Sequence, residues 1–271
     1  MPMNRLGPAL LTALAVLAGC ATETLAPAST DAIVPTEIVA QNPAAAYFKP
    51  TAELSPTDAG IMALADAVAG ADLISFMGHG SYSEEDARLK AALTLALIEQ
   101  HDLGLVILDT PCGGASILDT YIGGAQTGDL AVDIVRQADI VPALKSLALA
   151  DLMTQLRGWN AVNIDAPVRI AGKGCTTARE AAPGRPAIFW GLTELPASMS
   201  EKDMAAAARG EPAARNHVWI VQDFEEPLGI TDGSDGWIDL RALPDDPQIG
   251  IWRDEQAKTQ PWMKASHPWA A

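Results

Sequence analysis

Apolar residues along this chain fall into two patterns, short unbroken runs and stripes at helical spacing. Leu73-Ile74-Ser75-Phe76-Met77 is an unbroken run of strand length, closed by a glycine-flanked loop, Gly78-His79-Gly80-Ser81. Glu84, Glu85 and Asp86 then open a helix whose apolar stripe is Leu89, Leu93 and Leu97. The acids suit the positive end of a helix dipole, as His101 suits the other end, and Ser81 with Glu84 has the spacing of a capping box. A second run over residues 103–108 ends on Asp109-Thr110-Pro111-Cys112. Strand, loop, helix, strand is a βαβ unit, which predicts parallel pairing and a right-handed crossover.

The pattern continues on both sides of that unit. Ser55-Pro56-Thr57-Asp58 starts an earlier helix with Ile61, Leu64, Ala65 and Val68 on its apolar face. Further on, the spacing predicts a short helix over 117–121 and a long amphipathic helix over 142–159, carrying Leu144, Leu147, Leu152 and Leu156. Strands are expected over 168–172, 187–190 and 217–221, a helix over 199–208, and a short strand over 237–240 in a loop-rich tail. No internal repeat is present. The expected architecture is one α/β domain, a mainly parallel sheet with flanking helices, over residues 53–271.

The first twenty residues follow a different logic. A short start carrying Arg5 precedes an apolar run over 6–17, which ends in Leu17-Ala18-Gly19-Cys20. The run has the length of a secretion-signal core and falls short of the roughly 20 apolar residues needed to span a bilayer. Its end looks like a lipobox, in which the cysteine thiol is acylated and the preceding signal is cut away. Residues 1–19 are therefore expected to be a lipoprotein signal peptide. Residues 20–52, rich in Ala, Pro and Thr, are expected to hold the lipidated Cys20 and a flexible tether. Ala21 after the cysteine resembles an outer-membrane address, so the domain is expected to face the periplasm on a lipid anchor.

Composition narrows the partners. The formal charge is −16, with 34 acids against 18 bases. That argues against nucleic acid, which demands basic clusters, and against electrostatic docking on anionic lipid. With Cys20 committed to lipid, two cysteines remain, Cys112 and Cys175. Exported chains meet an oxidising space where such a pair tends to bond. Both cysteines follow the carboxyl ends of strand-like runs, which parallel neighbouring strands would bring close. A Cys112–Cys175 disulfide is the expectation, with two free thiols as the alternative.

The candidate chemistry gathers at one sheet edge. His79 stands between Gly78 and Gly80 at the end of the first run, and Asp109 stands at the end of the second. In open parallel sheets ligands sit at the carboxyl ends of strands, and glycine lets backbone approach them closely. A histidine and a carboxylate there can form a base and its orienting partner, activating water. The plainer alternative is a loop histidine and a capping aspartate. No phosphate-binding loop, dinucleotide fingerprint or nucleophile-elbow serine motif is present, and no cofactor or metal is expected.

The order of these pieces resembles the erythromycin esterase-like family. That family has a strand ending in Gly-Glu-x-x-His-Gly, a helix with a basic residue and a strand ending in Glu. An Asn/Asp-x-Tyr helix and a Trp-Leu-Arg-x-Tyr-Asn helix follow. Here Lys90 falls on the basic helix, Val106-Ile107-Leu108-Asp109 on the second strand and Leu118-Asp119-Thr120-Tyr121 on the next helix. Gln155-Leu156-Arg157-Gly158-Trp159-Asn160 falls on the last of these helices, and Trp237-Ile238-Asp239-Leu240-Arg241 resembles a late Leu-Asp-Leu-Arg stretch. With Gly78 on the family glycine, His79 takes the place of Glu and Tyr82 that of His. Shifted by two, His79-Gly80 becomes the His-Gly pair. The resemblance implies an ester or lactone hydrolase in which His79 activates water, Asp109 orients or balances it, and Lys90 holds an oxyanion or a substrate carboxylate. Gly78, Gly80, Ser81 and Tyr82 would shape the binding loop. The eroded first motif leaves a second reading open, a lipid-anchored binding or scaffolding protein on the same frame.

The lipobox yields a direct test. Replacing Cys20 by Ala should abolish incorporation of labelled palmitate and move the chain from the membrane fraction to the soluble envelope fraction.

Overall fold

A computed structural model of the 271-residue chain describes residues 43–79, 83–111, 113–125, 130–173, 184–191, 217–223, 236–239 and 242–252. For 77–79, 219 and 221–223 it describes the backbone alone. The centre is a five-stranded parallel sheet built from β2 (Leu73–His79), β3 (Leu105–Leu108), β4 (Arg169–Gly172), β5 (Ala187–Trp190) and β6 (His217–Asp223). Their spatial order is β4-β3-β5-β2-β6. Among the described residues α1 (Ala59–Val68), α2 (Glu84–His101), α3 (Ser116–Ile122), α4 (Ala131–Gln137) and α5 (Leu147–Val162) accompany it, with a further helical stretch over 247–252. The architecture is α/β, a parallel sheet flanked by helices.

The strands read as unbroken apolar runs because parallel strands are covered on both faces. All four residues of β3 and all four of β5 are buried. Ile74, Phe76, Val106, Leu108, Ile188, Trp190, Val218 and Ile220 join one core with the helices. Strand alternation sends Leu73, Leu105, Ile107 and Phe189 to the opposite face, where they too are buried. Helix α2 packs against α1 and α5, and α5 packs against α3 and α4. The expected stripe of Leu89, Leu93 and Leu97 is buried. So are Ala91, Ala92, Thr94, Leu95, Ala96 and Ile98, because α2 has neighbours on several sides.

Several expectations change. Strands β2 and β3 are parallel but not neighbours; β5 lies between them and pairs with both. Gly78 and His79 belong to β2 instead of a loop, because β6 runs alongside and pairs Gly78 with Gln222 and His79 with Asp223. The capping serine of α2 is Ser83, whose Oγ accepts from Asp86 N at 3.1 Å, and not Ser81. Glu84 serves another helix: its carboxylate accepts from Leu147 N at 3.2 Å and Ala148 N at 2.7 Å. With Ser146 Oγ accepting from Leu149 N at 3.0 Å, these bonds satisfy the free amides at the start of α5. The helix expected over 142–159 is accordingly two pieces, a 3-10 turn (Pro142–Leu144) and α5. Helix α4 was not expected at all; only Ala131, Ile134 and Val135 of it are buried, too few to mark a stripe.

The last part of the expected tether belongs to the fold. Residues Pro43–Tyr47 form a 3-10 turn, and β1 (Lys49–Pro50) pairs antiparallel with β7 (Gly236–Trp237). Asp58 caps α1 through Gly60 N and Ile61 N, and its other oxygen accepts from Ala52 N and Glu53 N. Trp237 Nε1 donates to Gly60 O at 3.0 Å, fastening the late segment to α1. A short-range composition reading cannot see this, because the pairing partner lies almost 190 residues away. The helix expected over 199–208 lies outside the described residues.

The amino-terminal end of the sheet is held by side chains. Asn160 of α5 accepts from Val168 N at 2.8 Å and donates to Val168 O at 2.9 Å and Ile122 O at 3.3 Å. Asp119 of α3 takes Arg169 in a two-point ion pair, with 2.6 Å at the shorter contact, and also accepts from Ile170 N. Arg185 donates to the carbonyls of Asp102, Leu103, Ala166 and Pro167, tying the entries to β3, β4 and β5 together. Replacing the buried Asn160 by Leu leaves a backbone N–H and two carbonyls without it. That should cost about 2–3 kcal/mol in urea unfolding, with the sheet retained by circular dichroism.

Candidate functional site

At the carboxyl edge of the sheet the first residues after β3, β4 and β5 bond to neighbouring strands and to each other. Asp109 N donates to Trp190 O at 3.2 Å, and Gly191 N donates to Phe76 O at 3.2 Å. Lys173 N donates to Leu108 O at 3.0 Å and Thr110 O at 2.9 Å. Two glycines permit this closeness. A Cβ on Gly191 would lie 2.3 Å from Phe76 O, and one on Gly172 would lie 2.5 Å from Pro111 O. The topology reverses at the same place. The chain leaves β2 and β3 toward the β4 side of the sheet, whereas it leaves β5 toward β6 on the other side. Such a reversal places ligands outside the carboxyl ends of the strands.

Four charged side chains line up at this edge with alternating sign. Lys90, in the second turn of α2, donates to Asp86 Oδ2 at 2.8 Å and to Gly191 O at 3.4 Å. Its ammonium lies 5.7 Å from the centre of the Phe76 ring. Asp109 acts on Lys90 through its charge. On the outer side, Lys173 Nζ meets Asp109 Oδ1 at 3.3 Å. The series runs from the interior to the surface: the Lys90 and Asp86 side chains are 2% and 5% exposed, Asp109 12% and Lys173 39%.

Burial pulls the Lys90 ammonium below the ordinary lysine range, and the attraction and hydrogen bond of Asp86, with the charge of Asp109, work against that pull. Among the described residues, Asp86 Oδ1 is buried without a hydrogen-bond partner. The helix under the cluster is pinned to β5. Thr94 Oγ1 donates to Lys90 O at 2.6 Å and accepts from Trp190 Nε1 at 3.2 Å. A buried, offset charge set at a topological reversal is the arrangement in which perturbed groups mark functional sites.

The structure places Lys90 and Asp109 near the same carboxyl edge, with the charge of Asp109 acting on Lys90. Lys90 is engaged within the protein, bonded to Asp86 and to Gly191 O with its side chain 2% exposed, and so is closed to direct contact from outside. His79 sits in β2, three residues beyond Phe76, while Asp109 sits one residue beyond Leu108, and Phe76, Trp190 and Leu108 share a register. Two strand spacings and two residues along the strand put their backbones about 12 Å apart. Asp109 pairs with Lys173 at 3.3 Å instead. Gly80, Ser81, Tyr82, Cys20, Cys112 and Cys175 lie outside the described residues, the expected disulfide with them.

Asp86 and Lys173 were missed by the sequence reading. Asp86 was legible only as one of three acids at a helix start, although its spacing to Lys90 is that of an i, i+4 pair. Lys173 follows the Gly172 that ends β4, and no local signal links it to Asp109, 64 residues earlier. The motif residues Asp119, Tyr121, Arg157 and Asn160 lie elsewhere. Asp119 and Asn160 brace β4, and the Arg157 guanidinium lies 4.6 Å from the centre of the Tyr121 ring.

No family model matches the chain, and no curated protein does. A crystal structure of a Bacillus cereus protein is 19% identical over 50% of this chain and 33% of that one, with a TM-score of 0.38. This chain thus spans a third of that protein's length, and a likeness so distant bears on neither fold nor function.

Removing one member of a buried ion pair strands the other charge, whereas replacing both with apolar groups does not. Asp86→Ala should therefore destabilise the protein by about 3 kcal/mol or more. The double variant Asp86→Leu, Lys90→Met should recover most of that loss in the same denaturant titration.

Proposed function

We propose that this chain is a lipid-anchored envelope protein of the erythromycin esterase-like type, hydrolysing carboxylic or lactone esters at the carboxyl edge of its sheet. The observation that supports this reading is the alternating series Asp86, Lys90, Asp109, Lys173, built from the interior to the surface at the topological reversal. A buried pair of this kind adds little to stability compared with apolar packing, so a role in the site is the better reason for it. In this reading a water attacks the ester carbonyl while His79 takes its proton. Lys173 offsets the charge that develops on the carbonyl oxygen. Collapse of the tetrahedral intermediate breaks the acyl C–O bond, and the leaving alkoxide takes the proton back from His79. The products are an acid and an alcohol, and no cofactor is consumed. Asp109 keeps Lys173 in place through their ion pair.

A second reading is favoured by one observation. The backbones of His79 and Asp109 are about 12 Å apart, and Asp109 already holds Lys173. This suits a lipid-anchored binding protein that keeps the frame and no longer turns over esters.

The two readings part in one assay. The chain starting at Ala21 should hydrolyse members of a panel of chromogenic acyl and lactone esters with saturation kinetics. His79→Ala should lower kcat/KM by about a hundredfold or more. Equal background rates in the parent chain and the variant would leave the binding-protein reading standing.

A further inference from the structure

Lys173 has a different position from the other members of the cluster. Its backbone is pinned twice to the loop after β3, through Leu108 O and Thr110 O. Gly172 before it lies against Pro111 with no room for a side chain, so β4 and that loop move as one piece. The origin of the side chain is therefore fixed relative to Asp109. Its head is not enclosed. Among the described residues the ammonium meets Asp109 Oδ1 at 3.3 Å and the Phe189 ring at 5.7 Å, and 39% of the side chain faces solvent. A 3.3 Å contact is long for a charged hydrogen bond, which closes to about 2.8 Å when it is strong. The charge of Asp109 also acts on the buried Lys90 ammonium.

We propose that Lys173 is the ligand-binding cation of this site and that it selects a singly charged carboxylate. An ammonium has three donor directions. With one turned to Asp109, the outward ones are available to an incoming anion, and the Phe189 ring gives the apolar side of the ligand a surface to lie on. The neighbouring Asp109 sets the charge limit. It stands next to the same ammonium and repels each negative charge a ligand brings, so a dianion meets about twice the repulsion of a monoanion with an apolar tail. The ligand class rests on the esterase-type reading in one respect, since the acid released from an ester is such a carboxylate.

The test is titration calorimetry on the full chain in detergent micelles, in a buffer basic enough to hold inorganic phosphate as the dianion, with butyrate, the neutral isostere butyramide and that phosphate as probes. Saturable butyrate binding is expected, with neither butyramide nor phosphate matching it. Lys173→Met should weaken butyrate binding about tenfold or more, and Lys173→Arg should restore most of it. Asp109→Asn should let phosphate bind by removing the repulsion. The proposal is overturned if butyrate does not bind, if Lys173→Met binds it as the parent does, or if the parent takes phosphate as well as butyrate. Butyrate binding through Lys173 in a protein that hydrolyses no ester would remove the esterase reading alone.

Discussion

The buried ammonium of Lys90 is the constraint around which the carboxyl half of the domain is arranged. An ion taken out of water costs several kcal/mol even after relaxation, and a partner returns that only with close geometry. Asp86 supplies the partner one helical turn earlier at 2.8 Å, Gly191 O supplies a second acceptor, and the Phe76 ring faces the charge. Each of these contacts restricts a separate element. The first needs α2 to begin at Ser83 so that Asp86 lies in its first turn. The second brings the end of β5 over α2. The third places β2 beside them. Thr94 and Trp190 repeat the link between α2 and β5 one turn deeper.

The two ends of the sheet carry different kinds of polar interaction. At the amino end, Asn160, Asp119 and Arg185 bond mainly to backbone groups and close the entries to the strands. These are saturated arrangements, with donors and acceptors matched locally. At the carboxyl end the side chains bond mostly to each other, rise in exposure from Asp86 to Lys173, and leave one buried carboxylate oxygen of Asp86 without a hydrogen bond among the described residues. The contrast gives the amino edge to bracing and leaves the carboxyl edge as the candidate site, the side on which ligands sit in open parallel α/β sheets.

The residues singled out by motif in the sequence divide along the same line. Lys90 and Asp109 do fall at the carboxyl edge. Asp119, Tyr121, Arg157 and Asn160, equally prominent as motif residues, turn out to hold α3, α5 and β4 together. A polar residue that bonds backbone at a strand entry and one that faces a ligand look the same in a single sequence, because the pattern records residue type and spacing and not the partner.

The chain's own pattern determined the α/β class, the positions of the sheet strands to within a few residues, the buried face of α1 and the edge that gathers His79 and Asp109. These follow from local physics: unbroken apolar runs bury on both faces, and striped runs bury on one. Tertiary structure alone decided that β5 separates β2 from β3, that Glu84 caps α5, that residues 49–50 pair with 236–237, and that Asp109 takes Lys173 as its partner. Each of these joins groups from 63 to almost 190 residues apart. Their selection depends on which surfaces remain open once the core has formed, and that information is spread over the whole chain instead of residing near any one residue.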